Sequence, residues 1–196
     1  MTWDDIGLDA DKHKSGDRER WIGVYIGVLA VMLAICGLGG GNATKDSTLK
    51  NIEASNTWGF FQAKNARRQS LRLQTDQLEL LLETAPSMPD EARKHLTAKI
   101  AEYKAQDKKL TSDGEKNEGL DELFAKGKAL EVERDQAMRR DPYFDYGQAL
   151  LQIAIVLASV AIVSGGGAVL IGSAILGVLG ALATFGGFTL AFPLPF

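Results

Sequence analysis

Few residues in this sequence have the types and spacing that enzyme chemistry requires. The two histidines, His13 and His95, lie in different segments, and Cys36 is the single cysteine. His95 has Glu91 and Lys99 one helical turn to either side, which is typical of a solvated helix face. The sequence contains no Cys/His cluster, no phosphate-binding glycine loop and no serine elbow. It therefore predicts a protein with no catalytic site, no metal site and no cofactor.

One segment, residues 56–68, combines aromatic, amide and cationic side chains. Its candidate binding residues are Asn56, Trp58, Phe60, Phe61, Gln62, Lys64, Arg67 and Arg68. Such a mixture can bind a protein partner or an anionic lipid, and the alternative is that the aromatic rings pack inside a helical domain. We favour packing, because a straight helix would place Trp58 about 25 Å beyond Gly41, too far out for an anchor at the membrane interface. A break at the glycines of residues 39–41 would instead let the segment lie on the lipid headgroups.

Small residues recur at steps of three and four positions in the apolar parts of the chain. The candidate helix-packing residues are Gly23, Gly27, Ala30, Ala34, Ala154, Ala158, Ala161, Ser173, Gly177 and Ala181. Association of helices in lipid depends on close van der Waals contact, which small residues permit. These faces predict helix–helix packing, and the partner can be the same chain, a second copy or another protein.

Transport would require polar or ionisable groups at membrane depth. The first apolar run offers none, and the later runs offer Gln152, Ser159, Ser173, Thr184 and Thr189. Isolated serine and threonine side chains usually bond to their own helix. A specific ion or proton path is therefore not expected, and an oligomeric pore or transporter component is kept as the alternative function.

Three apolar runs provide the elements that carry these residues. They are residues 21–41, 148–164 and 168–192, and no charged residue occurs from position 148 to the end of the sequence. About 20 apolar residues suffice for a helix to cross a bilayer core of ~30 Å, so a purely soluble protein is excluded. We expect the first run to be retained, because Ile35 before Cys36 is too large for a lipoprotein cleavage site.

The ends of the runs carry boundary signals. Arg20 and Trp21 begin the first run, and aromatic residues that include Tyr143, Phe192 and Phe196 mark the ends of the other two. The glycines at 39–41 are expected to fray or break the first helix. The segment 164–167, Ser-Gly-Gly-Gly, predicts a tight turn between the second and third runs.

The middle domain, residues 42–147, has helical periodicity without strand alternation. One helix is predicted from about Ser47, a plausible N-cap, to Thr84, a second from about Asp90, and a third piece from about Leu120. The prolines within 85–89 and the turn residues within 112–119 separate them. The middle domain must begin and end at the membrane. We therefore expect an antiparallel helical hairpin, in which coiled-coil-like pairing buries the apolar residues.

The charge distribution limits the partners and the orientation. The sequence has 22 Lys+Arg and 25 Asp+Glu, a net charge of -3, so no nucleic-acid partner is indicated. The polar arm, residues 1–20, carries Lys12, Lys14, Arg18 and Arg20, which favours a cytoplasmic N-terminus and a periplasmic middle domain. Arg139 and Arg140, close to the second run, argue for the opposite orientation.

Two parts of the chain resemble a known family. Residues 52–56, Ile-Glu-Ala-Ser-Asn, followed by Trp58, Gln62, Ala63, Lys64 and Arg67, are similar to the signature of the Domain of Unknown Function 4337 family of bacterial membrane proteins. Residues 141–145 and 149–159 are similar to the second span of the same family. The resemblance extends from about Trp21 to Phe192. It implies a bacterial source and a layout of one span followed by two, and it implies no activity.

The sequence therefore predicts an all-α membrane protein. It has one N-terminal transmembrane helix, an extramembrane antiparallel helical hairpin and a C-terminal transmembrane helix hairpin. We expect a non-enzymatic accessory or scaffold subunit of the bacterial inner membrane, in a homo-oligomer or a larger complex. Its expected partners are the lipid bilayer and either copies of itself or other membrane protein subunits.

Overall fold

A computed structural model describes the backbone of residues 3–193 and the side chains of residues 17–193. This part of the chain forms four α-helices and no strand: α1 (Trp3–Thr84), α2 (Asp90–Thr111), α3 (Leu120–Ser164) and α4 (Gly167–Thr189). The all-helical class is as expected from the sequence. Two cations that favoured a cytoplasmic N-terminus, Lys12 and Lys14, have side chains outside the described residues. The same is true of Phe196, an aromatic residue at the end of the third apolar run.

Three of the helices could cross a membrane by their length and composition. They are α1 in its part Asp17–Thr84, α3 and α4. The chain divides into two compact units: unit 1 is Met1–Ser47 with Asp135–Phe196, and unit 2 is Thr48–Arg134. Unit 1 therefore contains the apolar runs, and unit 2 contains most of the charged helical segment.

The expected helix break at the glycines of residues 39–41 is wrong. α1 continues through them, so Ser47 lies inside α1 and does not cap a new helix. A Cβ on Gly39 would lie 2.4 Å from the Phe144 ring, and one on Gly40 would lie 3.1 Å from Phe144 Cβ. Each glycine costs a helix about 0.5–1 kcal/mol relative to alanine. Burial of the Phe144 ring against this glycine surface offsets that cost.

The helical piece that starts at Leu120 and the apolar run 148–164 are parts of one helix, α3, rather than separate elements. Pro142 lies inside this helix. Proline removes the backbone N–H that would bond the carbonyl four residues earlier, but its fixed φ suits a helix. The next two residues, Tyr143 and Phe144, are buried in unit 1, and their packing keeps the chain helical past the proline.

The other predicted breaks are confirmed. α1 ends at Thr84 and α2 begins at Asp90 after Pro89, and the gap between α2 and α3 covers residues 112–119. The turn between α3 and α4 includes Gly165 at a φ of +66°, a conformation that glycine adopts without steric cost. α4 ends at Thr189, earlier than the predicted end at Phe192, and Leu190 caps it in the left-handed conformation.

Unit 1 is held together by a core from α1, α3 and α4. Its buried cluster consists of Leu29, Cys36, Ala43, Phe144, Leu151 and Ala154, with Tyr25, Met32, Leu33, Ile155 and Leu176 packed against it. Unit 2 combines buried apolar residues, among them Ala54, Ile100 and Leu123, with ion pairs between its helices.

Candidate functional site

The small-residue face of α1 is uncovered. Gly23, Gly27, Ala30 and Ala34 are all exposed. Nothing lies within 4 Å of the point where a side chain on Gly23 or Gly27 would begin, and the same holds for Gly37 and Gly41. The structure thus leaves this predicted packing face without a partner among the described residues of the chain.

α1 packs in unit 1 through a different face. Ile22, Leu29, Cys36 and Ala43 are buried and follow one another at intervals of seven residues, which is two helical turns. Leu29, Cys36 and Ala43 belong to the core cluster with Phe144, Leu151 and Ala154 of α3. The contact therefore uses a face of α1 other than the predicted one, and Gly23, Gly27, Ala30 and Ala34 lie outside it.

The small residues of α3 and α4 pack within unit 1, and Gly177 lies close to Tyr25 and Leu29 of α1 as well as Ala154 of α3. Ala154, Ala158 and Ala161 of α3 are buried, as are Ser173 and Gly177 of α4, while Ala181 is half-buried. A Cβ on Gly180 would lie 2.8 Å from Leu151, so the two helices approach too closely there for any side chain. These faces serve packing within the chain, as small residues do between helices in lipid.

A polar contact joins all three helices of unit 1. The Ser173 hydroxyl donates a hydrogen bond of 2.7 Å to the Ala154 carbonyl. The Tyr25 hydroxyl donates to the Ser173 carbonyl at 3.1 Å and lies 3.3 Å from the Ser173 hydroxyl. Sequence reasoning missed Tyr25. The available signal was a tyrosine within an apolar run, because a buried tyrosine hydroxyl usually finds a partner.

Three further hydroxyl groups of the apolar helices bond to backbone carbonyls. Thr184 donates to Gly180, Ser159 to Ile155, and Thr189 to Phe185, each four residues earlier on the same helix, as expected. The buried Cys36 thiol donates to the Phe144 carbonyl at 3.2 Å. These hydroxyl and thiol groups thus have partners within the chain, and Gln152 is exposed.

The aromatic residues of segment 56–68 pack inside unit 2. Trp58 meets Phe61 and Phe124 edge-on, with ring centroids 5.6 Å and 5.5 Å away. Its indole N–H donates to Glu131 at 3.0 Å. A Cβ on Gly127 would lie 2.9 Å from the Trp58 ring. The ring is therefore fixed on several sides, which favours the packing interpretation of these aromatics.

Two cations of the same segment also have partners within unit 2. Lys64 donates to the Glu118 carbonyl and lies over the Phe60 ring at 4.9 Å. Arg68 donates to Thr111 at 3.3 Å, which ties α1 to the end of α2. Asn56, Gln62 and Arg67 are exposed, as is Phe60. The structure thus separates the predicted binding residues into an internal group and a group on the surface.

Hydrogen bonds across unit 2 shift the pKa values of several carboxyl groups. The guanidinium of Arg72 holds the pKa of Asp107 below its ordinary value through two bonds of 2.8 Å and 2.9 Å. The ammonium of Lys128 lowers the pKa of Glu131, and the Trp58 N–H contributes in the same direction. Ser112 lowers the pKa of Glu122 by hydrogen bonding. These carboxylates stabilise contacts between helices and loops.

Within residues 17–193, no three or more His, Cys, Asp or Glu side chains are grouped so that they could hold a metal ion. The described residues of unit 1 pack helix against helix, and the face of α1 with Gly23 and Gly27 is uncovered.

A family model described as Domain of unknown function (DUF4337) matches residues 18–190, which confirms the resemblance seen in segment 52–67. No curated protein and no solved structure matches the chain significantly.

Proposed function

Because the chain belongs to the DUF4337 family, whose description names no activity, we propose its function from the geometry of its helices. The protein is a non-enzymatic scaffold or accessory subunit of a bacterial inner membrane. It acts by helix–helix assembly, in a homo-oligomer or in a larger membrane complex.

Insertion into the membrane is the first part of this proposal. α1, α3 and α4 each have an apolar window long enough to cross a bilayer. Large apolar side chains such as Val28, Ile153 and Val178 are exposed on all three helices, as is usual where lipid is the solvent. The proposed topology has a cytoplasmic N-terminus, three spans and a periplasmic antiparallel hairpin formed by unit 2. Protease protection in spheroplasts and resistance to carbonate extraction test it.

The uncovered glycine face of α1 is the observation that carries the assembly proposal. On α3 and α4, the predicted small-residue faces are covered by other helices of the chain. On α1, nothing lies within 4 Å of the position that a Cβ on Gly23 or Gly27 would occupy. Glycine lowers helix stability, so a face of glycines is costly unless close approach of another helix makes use of it. A second copy or another membrane subunit would supply that helix.

A pore or transporter has weaker support. Ser173 and Thr184, the buried hydroxyls of α4, donate to backbone carbonyls at 2.7 Å and 2.8 Å. A transport path would need such groups to face a solute. Flux of ions or small solutes from liposomes containing the purified protein would favour the pore and count against the scaffold.

Gly27→Leu tests the assembly proposal directly. The new side chain enters open space in the isolated chain, so unit 1 should keep its fold while the assembly loses its close contact. The mass measured by light scattering in mild detergent should fall to that of a monomer. Val28→Leu is the matched control, because Val28 is an exposed neighbour on another side of α1. An unchanged mass for Gly27→Leu contradicts the proposal.

Cysteine cross-linking identifies the partner. Cys36 is the single cysteine, so Cys36→Ala gives a background in which Ala30→Cys places one thiol on the face. Oxidation should yield a disulfide dimer if the partner is a second copy, and a heavier mixed product if it is another subunit. Val28→Cys should give neither product. If Ala30→Cys and Val28→Cys react alike, the face has no special contact.

A further inference from the structure

An open cleft lies between α1 and α4 in unit 1, next to Arg18 and the start of the apolar run of α1. It is lined by Arg18, Trp21, Ile22, Tyr25, Leu170 and Ala174 and has a volume of about 290 Å³. This is slightly below the ~300–1,000 Å³ of pockets that enclose whole small molecules. The cleft therefore fits part of a ligand, such as one chain of a lipid.

The cleft is apolar along its walls and cationic at one end. Ile22, Leu170 and Ala174 contribute only hydrocarbon. Arg18 is exposed, and among the described side chains no carboxylate lies within 4 Å of its guanidinium. Arg18 has two acidic neighbours in the sequence: Asp17 lies 3.9 Å from Arg20, and Glu19 is exposed. Neither acid lines the cleft. From Arg18 to Tyr25 the cleft extends about 10 Å along α1.

We propose that this cleft binds one anionic phospholipid, with an acyl chain against Ile22, Leu170 and Ala174 and the phosphate on Arg18. The inference rests on the proposed membrane insertion. In the inserted protein, the apolar run of α1 begins at Trp21, which is 75% exposed. Arg18 and Trp21 then lie at the headgroup boundary, where cations and aromatic rings are favoured.

The charge of the cleft selects among lipids. A guanidinium binds phosphate oxygens through short, charge-assisted hydrogen bonds. None of the six lining residues is acidic, so the ammonium group of a zwitterionic lipid would find no carboxylate there. A free phosphate would use Arg18 but leave the apolar walls empty. An anionic lipid matches both the cation and the hydrocarbon surface.

Native mass spectrometry of the full-length protein in detergent tests the proposal. Phosphatidylglycerol and phosphatidylcholine with identical acyl chains are the two probes. The wild type should retain phosphatidylglycerol preferentially, and Arg18→Gln should reduce that preference by about tenfold, since a charged hydrogen-bond partner is lost. Arg20→Gln removes the same charge two residues away and should leave the preference intact. Equal retention of both lipids, or equal effects of the two variants, overturns the proposal.

Filling the cleft tests the acyl-chain part. Ala174→Leu should reduce binding of both lipids, whereas Ala168→Leu, on an exposed part of α4 outside the cleft, should not. Glycerol phosphate, which has no acyl chain, should fail to displace bound phosphatidylglycerol. Displacement by glycerol phosphate would contradict the proposed site.

The two proposals fail separately. If carbonate releases the protein from membranes, the proposed function itself is contradicted. A protein that remains integral and assembles, but shows no preference for phosphatidylglycerol, contradicts only the lipid site.

Discussion

Leu29 and Gly27 lie two positions apart on α1 and face in opposite directions. Leu29 is 3% exposed and belongs to the core of unit 1, whereas nothing lies within 4 Å of where a Gly27 side chain would begin. Two residues correspond to about 200° around an α-helix. α1 therefore has one face that packs within the chain and an opposite face that is uncovered. Substitutions can test packing and assembly independently.

The hydroxyl of Ser173 should stabilise unit 1. Ser173→Ala removes its hydrogen bond to the Ala154 carbonyl and should lower the free energy of unfolding by about 0.6 kcal/mol and at most ~1.7 kcal/mol, the range for such bonds between membrane helices. Unfolding of the intact protein in mixed detergent micelles, followed by circular dichroism, measures the change. Ser159→Ala is the matched control, because Ser159 is exposed and donates only within its own helix. Equal losses in the two variants would show that the bond between helices has no special weight.

Gly127 should be intolerant of any side chain. Gly127→Ala places a Cβ 2.9 Å from the Trp58 ring, and relieving such overpacking typically costs about 1–3 kcal/mol. Thermal unfolding of the intact protein measures the stability loss. Trp58 fluorescence, recorded with Trp3 and Trp21 replaced by phenylalanine, reports the ring's displacement.

Gly59→Ala is the control for Gly127→Ala. Gly59 also lies in a helix, but nothing lies within 4 Å of its missing side chain. This variant should be neutral or more stable by up to ~1 kcal/mol, because alanine is the better helix former. A destabilised Gly59→Ala variant together with an unaffected Gly127→Ala variant would contradict the packing described for Trp58.

The Arg72–Asp107 pair should make unit 2 sensitive to acid. The folded pKa of Asp107 lies below its ordinary value of 3.8, so its stabilising contribution is complete above that pH. The contribution is lost as the pH falls through the folded pKa. Both side chains are partly exposed, so water weakens the pair, it contributes little to stability, and salt screens it further.

Hydrogen exchange of the α2 peptide that contains Asp107, in the intact protein, measures this effect. Wild-type protection should fall as the pH drops below about 3.8 and through the lower folded pKa of Asp107, and Asp107→Asn should start lower and change less. Glu83→Gln, at an exposed position, should follow the wild type. An Asp107→Asn variant with the full wild-type acid dependence would show that other carboxylates control it.

The helix breaks of this fold could be predicted wherever local chemistry sets them. Pro86, Pro89 and the left-handed Gly165 act through their own backbone preferences. In the structure, all three lie in the turns between helices. The glycines at 39–41 could not be judged in this way. Their local helix penalty is about 1 kcal/mol each, and the packing of Gly39 and Gly40 against Phe144, a residue far along the sequence, decides the outcome.

The candidate sites show the same division. Segment 56–68 is conspicuous in sequence, but its composition is the same whether its rings are buried or exposed. Phe124, Gly127 and Glu131 come from α3, and only the folded unit brings them to Trp58. Arg67 remains exposed, while Arg68 reaches Thr111. A contact between distant residues leaves no local pattern to detect.

The sequence by itself determined the helical class, the three apolar runs and the small residues on each of them, because composition and spacing act locally along the chain. Only the tertiary structure decided which small residues are already covered. Ala154, Ser173 and Gly177 are buried where α1, α3 and α4 meet, and Gly27 is not, although all four have the same kind of spacing. The rotation of each helix about its axis makes this difference, and the combined packing of Leu29, Cys36 and Phe144 in the core sets that rotation.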